Sequence, residues 1–219
     1  RAIACVLKGE AENDDFNRLI LSAGVTSQAV IWLRAWFRYL RQTGVNYGVT
    51  TVVDALARAP AATNALIEMF IARHDPRLPG DRDKAVRGAA EAFDDALRSV
   101  SAIDDDRILR LMRAVVDATL RTNAFALVEG IALGMKINSS LVPGLPAPLP
   151  WREIWVYSPR LEGIHVRGGP IARGGLRWSD RRDDFRTEIL GLMKAQLVKN
   201  AVIVPTGAKG GFYAKQLPN

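Results

Sequence analysis

The hydrophobic period of this chain changes once, near Asn123, and that change limits the possible architecture more than any other feature. Up to Thr122, apolar residues recur three and four apart, as the buried face of a helix requires. Beyond Asn123 the residues through Ile137 are small or β-favouring, and Pro143, Pro146, Pro148 and Pro150 then fall within eight positions. Prolines that close remove backbone donors and hold the chain extended, so this stretch reads as a linker or stiff surface loop. Short runs bounded by turn residues follow. The fold class is therefore α+β or α/β. A mainly helical segment is expected over residues 1–122, a connecting segment over 123–150, and the beginning of an α/β domain over 151–219.

In the helical segment, Asp14 and Asp15 are placed to cap a short helix through Leu21, which Gly24 stops. Ser27 is placed to cap a longer helix to about Thr43. Further helices are expected over residues 50–58, 60–72, 81–100 and 104–122, with a loop over 74–80. Pro60 sits well at an early helical position. Trp32 and Trp36, four apart on one face, read as core. Asp104, Asp105 and Asp106 read as a helix start whose carboxylates complement the dipole, because no second cluster at metal-ligand spacing accompanies them. In the C-terminal part, strands are expected over 152–157 and 161–167 and a short extended piece over 173–178. A helix from about Asp183 to Lys199 and a buried strand over 201–204, ended by Pro205, complete the reading.

Charge is unevenly placed. The chain of 219 residues carries a formal net charge of +7; residues 151–219 hold 12 Lys and Arg against 6 Asp and Glu, and residues 1–150 hold 18 against 17. In a nucleic-acid surface such cations line a helix face or interleave with stacking aromatics. Here they sit beside Gly-Gly pairs, which suits a pocket for a small anion and speaks against nucleic acid as a partner. The single cysteine, Cys5, excludes an internal disulfide and suits a reducing, cytoplasmic setting. No apolar run approaches the roughly 18 residues that cross a bilayer, so no membrane span is expected. The apolar start is too short and poorly flanked for a signal peptide, there is no initiator Met, and the sequence is expected to be a piece of a longer polypeptide.

The chemistry is concentrated in residues 173–211. Arg173-Gly174-Gly175-Leu176-Arg177-Trp178 stands at one end, Gly207-Ala208-Lys209-Gly210-Gly211 at the other, and Gln196-Leu197-Val198-Lys199-Asn200 lies between. Two glycine-rich turns and one helix end would thus deliver Arg173, Lys199 and Lys209, an arrangement suited to a small molecule with two carboxylates. Leu192, Gln196 and Lys199 share a helix face that is apolar early and polar late. Small neighbours would let the backbone approach a ligand and give Lys209 room. A partly desolvated lysine among other cations gives up its proton more readily, so its amine can serve as a general base or its ammonium can polarise a carbonyl or imine. Taken singly, Gly-Ala-Lys-Gly-Gly is no more than a tight turn, and it lacks the Walker A spacing. An isolated Gly pair is often only a bulge. The run over 180–184 reads as a self-paired charge cluster and His165 as a structural residue.

In order and at their spacing, these elements say more. Arg-Gly-Gly-Leu-Arg-Trp-Ser-Asp-Arg from Arg173, followed by Asp-Phe-Arg-Thr-Glu-Ile-Leu-Gly-Leu-Met-Lys-Ala-Gln-Leu-Val-Lys-Asn-Ala-Val-Ile-Val-Pro-Thr-Gly-Ala-Lys-Gly-Gly from Asp184, resembles the large, multi-domain bacterial NAD-specific glutamate dehydrogenases. Glu-Asn-Asp-Asp-Phe-Asn-Arg-Leu at Glu12 and Ile-Asp-Asp-Asp-Arg-Ile-Leu-Arg at Ile103 resemble the same family, so the likeness covers most of the chain. It implies that the α/β part is the start of a glutamate-binding catalytic domain. It implies that Arg173 contacts the substrate side-chain carboxylate, where the familiar small enzymes usually carry lysine; arginine can grip a carboxylate with two parallel bonds. Gln196 and Lys199 would bind the α-carboxylate, Lys209 would assist the attack of water on the imino acid, and Gly174 and Gly175 would line the pocket.

The resemblance also implies a proton-relaying aspartate and an NAD-binding domain. Both are expected beyond Asn219, because no Gly-x-Gly-x-x-Gly follows a strand in this sequence. The expectation is an enzyme that converts L-glutamate, NAD and water into 2-oxoglutarate, ammonium and NADH as a cytoplasmic homo-oligomer, with no metal. These 219 residues by themselves are expected to be inactive. One alternative is a helical interaction scaffold whose basic C-terminal part binds nucleic acid or an acidic partner. Another is a dehydrogenase for leucine or phenylalanine. Those substrates have no side-chain carboxylate, so a cation at Arg173 weighs against it.

Overall fold

The computed structural model of the chain describes residues 2–126, 132–199 and 206–216. It divides into two compact units, one of residues 1–37 and 46–116, the other of residues 38–45 and 117–219.

The first unit is helical. It contains α1 (Ala2–Leu7), a 3-10 turn (Asp15–Arg18) that runs into α2 (Leu19–Ser22), the larger part of α3 (Ser27–Gln42), α4 (Val49–Arg58), α5 (Pro60–His74), α6 (Arg82–Leu97) and most of α7 (Ile103–Ala118). Side-chain caps begin several of these by accepting backbone N–H groups that no helical carbonyl can reach. Asp14 accepts from Phe16 N at 3.1 Å, and Asp81 from Lys84 N at 3.1 Å. The cap before α3 is Thr26, whose Oγ1 accepts from Ala29 N at 3.1 Å, and Ser27 is already inside the helix. Gly24, with φ of 68°, turns the chain between α2 and α3. Trp32 and Trp36 are both buried, each with its ring centroid 5.1 Å from that of Phe70. The three aspartates open α7 and have separate partners: Tyr47 donates to Asp104 at 2.9 Å, Arg58 to Asp105 at 2.7 Å and Arg110 to Asp106 at 2.8 Å.

The second unit is a six-stranded sheet with one helix. Its strands are β1 (Thr119–Thr122), β2 (Leu133–Ile137), β3 (Arg152–Tyr157), β4 (Leu161–Arg167), β5 (Leu176–Trp178) and β6 (Ala208–Ala214), and its helix is α8 (Phe185–Lys199). The order across the sheet is β1-β2-β3-β4-β6-β5, antiparallel at every step except β5–β6, which is parallel. Three expectations are corrected. The helix expected to reach Thr122 ends at Ala118, because Thr119 and Thr122 enter a ladder with β2 and the Ala118 carbonyl accepts from Asn138 N at 2.8 Å. The stretch 123–150 is more than a connection, since it contributes β2 and a 3-10 turn (Ser139–Leu141). Gly-Ala-Lys-Gly-Gly is also not a turn: Ala208 through Gly211 lie in β6, paired on both sides. The strand expected over 201–204 lies outside the described residues.

Alternation sets the faces of the sheet. Trp155, Tyr157, Ile164 and Val166 are buried on one face, and α8 packs on β4 and β6, with Phe185 stacked on Trp155 at 6.1 Å. The last turns of α3 also belong to this unit. They meet two glutamates that the sheet buries completely. Glu162 accepts from Arg38 at 2.7 and 3.0 Å and pairs with Lys215 at 2.7 Å. Glu153 is gripped by the guanidinium of Arg186 at the start of α8 and accepts from Tyr39 at 3.3 Å. Burial, reinforced by the Glu153 charge, holds the Tyr39 hydroxyl well above its ordinary pKa. Gln42 completes the junction: its amide donates to Arg182 O at 2.8 Å and accepts from Arg186 N at 3.2 Å.

Candidate functional site

The segment from Arg173 runs alongside β6 with a constant offset of 34, from the bridge of Arg173 with Gly207 to the pair Trp178 with Phe212. Ala208 N donates to Arg173 O at 3.1 Å and Gly210 N to Gly175 O at 3.0 Å, so the parallel ladder is continuous across both glycine motifs. That offset places Gly174 beside Ala208 and Gly175 beside Lys209.

The glycines have distinct tasks. A Cβ on Gly174 would lie 1.6 Å from Ala208 O, so only glycine lets the two backbones approach this closely. A Cβ on Gly211 would meet Ile189 of α8 at 2.2 Å, and one on Gly210 would meet Leu176 at 2.4 Å and His165 at 3.1 Å. The Gly210-Gly211 pair therefore admits protein neighbours on its two faces, where the sequence suggested room for a ligand. Gly175 differs, with nothing within 4 Å of its Cβ position. Gly174→Ala is expected to cost about 1–3 kcal/mol through overpacking. Gly175→Ala should cost almost nothing. Denaturation midpoints of the two variants check the contrast.

Alternation puts Arg173 and Gly175 on the same face of the sheet as Lys209 and Gly211, the face that α8 covers. Helix α8 runs antiparallel to β6: Ile189 sits over Gly211, and Gln196 reaches Ala208. Seven helical residues and three strand residues both span about 10 Å, so the two elements stay in step over this distance. Gln196 continues the sheet-facing stripe of Phe185, Ile189 and Met193. Its amide nitrogen donates to Arg173 O and to Ala208 O at 2.9 Å each, which engages both of its protons. Lys199 is the last residue of α8, and its side chain lies outside the described part.

Electrostatics single out this corner. The strands and α8 contain three carboxylates, Glu153, Glu162 and Glu188, and each is already paired. Glu188 accepts from Arg177 at 2.5 Å and from Ser179 at 2.6 Å, and these bonds hold its carboxyl below the ordinary range. The guanidinium of Arg173 and the ammonium of Lys209 have no side-chain partner among the described residues. Two uncompensated cations on one face, beside open space at Gly175, attract an anion. His165 is on the opposite face, beside Gly210. Burial and then the Arg167 charge lower its pKa, and its Nδ1 has no partner, which suits a neutral structural residue. Within the charge run 180–184, Arg181 pairs with Asp184 as expected, but Asp183 pairs with Arg38 at 2.9 Å.

A dinucleotide does not fit these residues. In α/β folds its pyrophosphate rests on a helix N-terminus between parallel strands. Helix α8 joins the parallel pair here, but it starts among Asp183, Asp184 and Glu188, and Gln42 already accepts the Arg186 N–H.

The sheet and its cationic corner suit a domain that binds a small, multiply charged anion. Residues 92–219 match the family described as bacterial NAD-glutamate dehydrogenase, catalytic domain, and residues 11–76 match glutamate dehydrogenase, helical motif 3. Three curated relatives carry the name NAD-specific glutamate dehydrogenase. That of Mycobacterium tuberculosis is 51% identical over 99% of this chain and 14% of its own length. That of Halomonas elongata is 46% identical over 96% and 13%, and that of Pseudomonas aeruginosa 44% identical over 99% and 14%. The chain belongs to the bacterial NAD-glutamate dehydrogenase family. It spans about one seventh of the length of these relatives. Nothing in the matches supports the scaffold alternative. No helix among the described residues is long and apolar enough to cross a membrane.

Proposed function

We propose that this segment forms the glutamate-holding side of an active site in a longer NAD-specific glutamate dehydrogenase. The intact protein converts L-glutamate, NAD and water into 2-oxoglutarate, ammonium and NADH. The observation that carries this reading is the pair of uncompensated cations, Arg173 and Lys209, on one face of the parallel ladder. Arg173 takes the side-chain carboxylate through two parallel hydrogen bonds. Lys199, at the end of α8, takes the α-carboxylate, with Gln196 beside it at the wall of the site. Gly175 leaves the space that the ligand needs. Lys209 assists the attack of water on the imino acid, its amine accepting the proton that the water releases. NAD and the proton-relaying aspartate are held by parts of the protein outside these residues. The intact protein works in the cytoplasm as a homo-oligomer. The names and identities of the relatives support the reading.

Substrate preference tests it. Full-length protein supplied with NAD should form NADH with glutamate far faster than with leucine or phenylalanine, and comparable rates with leucine would overturn the assignment. Arg173→Ala removes charge-assisted bonds worth about 1.5–3 kcal/mol, so the KM for glutamate should rise roughly 10- to 100-fold. The KM for NAD should not move. Equal changes in both constants would show that Arg173 does not hold a carboxylate.

A further inference from the structure

We infer that Gln196 is a positioning residue, whose side-chain amide sets the separation of the Arg173 and Lys209 cations by bridging the two backbone segments that carry them. The inference rests on the reading above for its functional consequence, but its geometry is independent. The bridge joins three elements at one point. Gln196 comes from α8, the Arg173 carbonyl belongs to the segment leading into β5, and the Ala208 carbonyl precedes Lys209 directly in β6.

The Arg173 carbonyl already accepts from Ala208 N at 3.1 Å, and its second lone pair takes the amide of Gln196. The ladder here rests on only two backbone bonds, those donated by Ala208 and Gly210, since β5 proper begins at Leu176. Arg173, Gly174 and Gly175 are exposed, so water competes for those bonds. Gly174 contributes close approach but no side chain to pack. A half-buried amide that holds both carbonyls from the helix side supplies what this short ladder lacks. Ile189 over Gly211 fixes α8 one helical stretch earlier, so the helix has a lateral anchor at each end of the β6 glycine motif.

Such a role predicts effects that a direct contact between Gln196 and a substrate carboxylate would not produce. In full-length protein without ligands, Gln196→Met removes both donors at similar volume. Hydrogen–deuterium exchange at the amides of Ala208 and Gly210 should then quicken at least tenfold. The amides of the β3–β4 ladder, which Gln196 does not touch, should stay slow and report that the domain is folded. Gln196→Lys, which retains donors on a flexible stem, should restore much of the protection. If the Met variant fails to fold, Gln196→Glu serves instead, because its carboxylate would face two carbonyl oxygens and should also speed exchange at Ala208 and Gly210. Unchanged ligand-free exchange at these two amides in a folded donor-less variant overturns the inference.

Steady-state kinetics of the same variants supply the second readout. Displacing both cations by about 1 Å should lower kcat and raise the KM for glutamate together, by roughly 10- to 100-fold overall. A rise in KM alone, with kcat intact and exchange unchanged, would mean that Gln196 touches the substrate and does not position the cations. Faster exchange with unaltered kinetics would also overturn the inference, since the bridge would then not govern the site. Should the unmodified protein fail to oxidise glutamate at all, the functional reading falls while the exchange experiment still decides the bridge.

Discussion

Lys209→Ala in the full-length protein is expected to lower turnover of glutamate by about two to four orders of magnitude, the range that a positioned proton-transfer group contributes. Lys209 lies in β6, held by β4 on one side and the Arg173 segment on the other, so its backbone cannot drift when the side chain is lost. Neighbours on its face are the glycines at 207, 211 and 175, which make few demands on the lysine stem. The variant should therefore fold as the parent does, and the deficit should appear in kcat and kcat/KM alike, as for a contact made in the transition state. Stopped-flow or steady-state NADH formation measures it. Lys209→Arg distinguishes charge from proton transfer: guanidinium keeps the cation but does not release its proton, so binding should survive and turnover should not. Near-normal turnover of the alanine variant would remove Lys209 from the mechanism.

The second large effect concerns stability. Arg186→Met should destabilise the sheet unit by about 3–5 kcal/mol, because it leaves the Glu153 carboxylate fully buried without its cation. Tyr39 donates to Glu153 at 3.3 Å, a single neutral bond that cannot replace a two-point guanidinium contact. The start of α8 would lose its tie to β3 at the same time. Removing both charges, as Arg186→Met with Glu153→Leu, should recover most of the loss, since an apolar pair of similar volume carries no desolvation cost. Urea denaturation of the single and double variants decides the matter. Equal destabilisation by both would show that the effect comes from packing and not from the isolated charge.

These two predictions depend on different kinds of information. Lys209 stands out in the sequence because Gly-Ala-Lys-Gly-Gly follows Arg-Gly-Gly and Gln-x-x-Lys in a recognisable order. The Glu153–Arg186–Tyr39 cluster gives no such signal. Its members come from β3, α8 and α3, and Tyr39 is separated from Glu153 by 114 positions. Arg38 pairs with Asp183 over 145 positions, so the charge run at 180–184 reads locally as self-paired although one of its carboxylates is committed elsewhere. Periodicity reports which face is apolar; it does not report which distant element covers that face.

Local rules account for most of the elements. Helix periodicity with Asp14, Pro60 and Asp81 at the starts located α4, α5 and α6 within a few residues, and alternation located β3 and β4 at the observed bounds. They failed where pairing decides the outcome. Residues 119–122 continue a helical apolar pattern, yet β2 offers a ladder and captures them. Two adjacent glycines in Gly-Ala-Lys-Gly-Gly suggest a turn, yet β4 and the Arg173 segment pair with the stretch on both sides and hold it extended.

The sequence by itself determined the family resemblance, the split between a helical and a sheet-forming part, and the identity of the cations. Each of these follows from residue types at short, ordered separations, which the chain displays without folding. Tertiary structure alone decided that Arg173 and Lys209 share a face, that Gly174 and Gly211 are glycines because a backbone and a helix side chain need the space, and that Gln196 bridges two carbonyls. Those properties depend on register and on close approach between segments far apart along the chain. A shift of one residue in the β5–β6 register would send the two cations to opposite faces of the sheet.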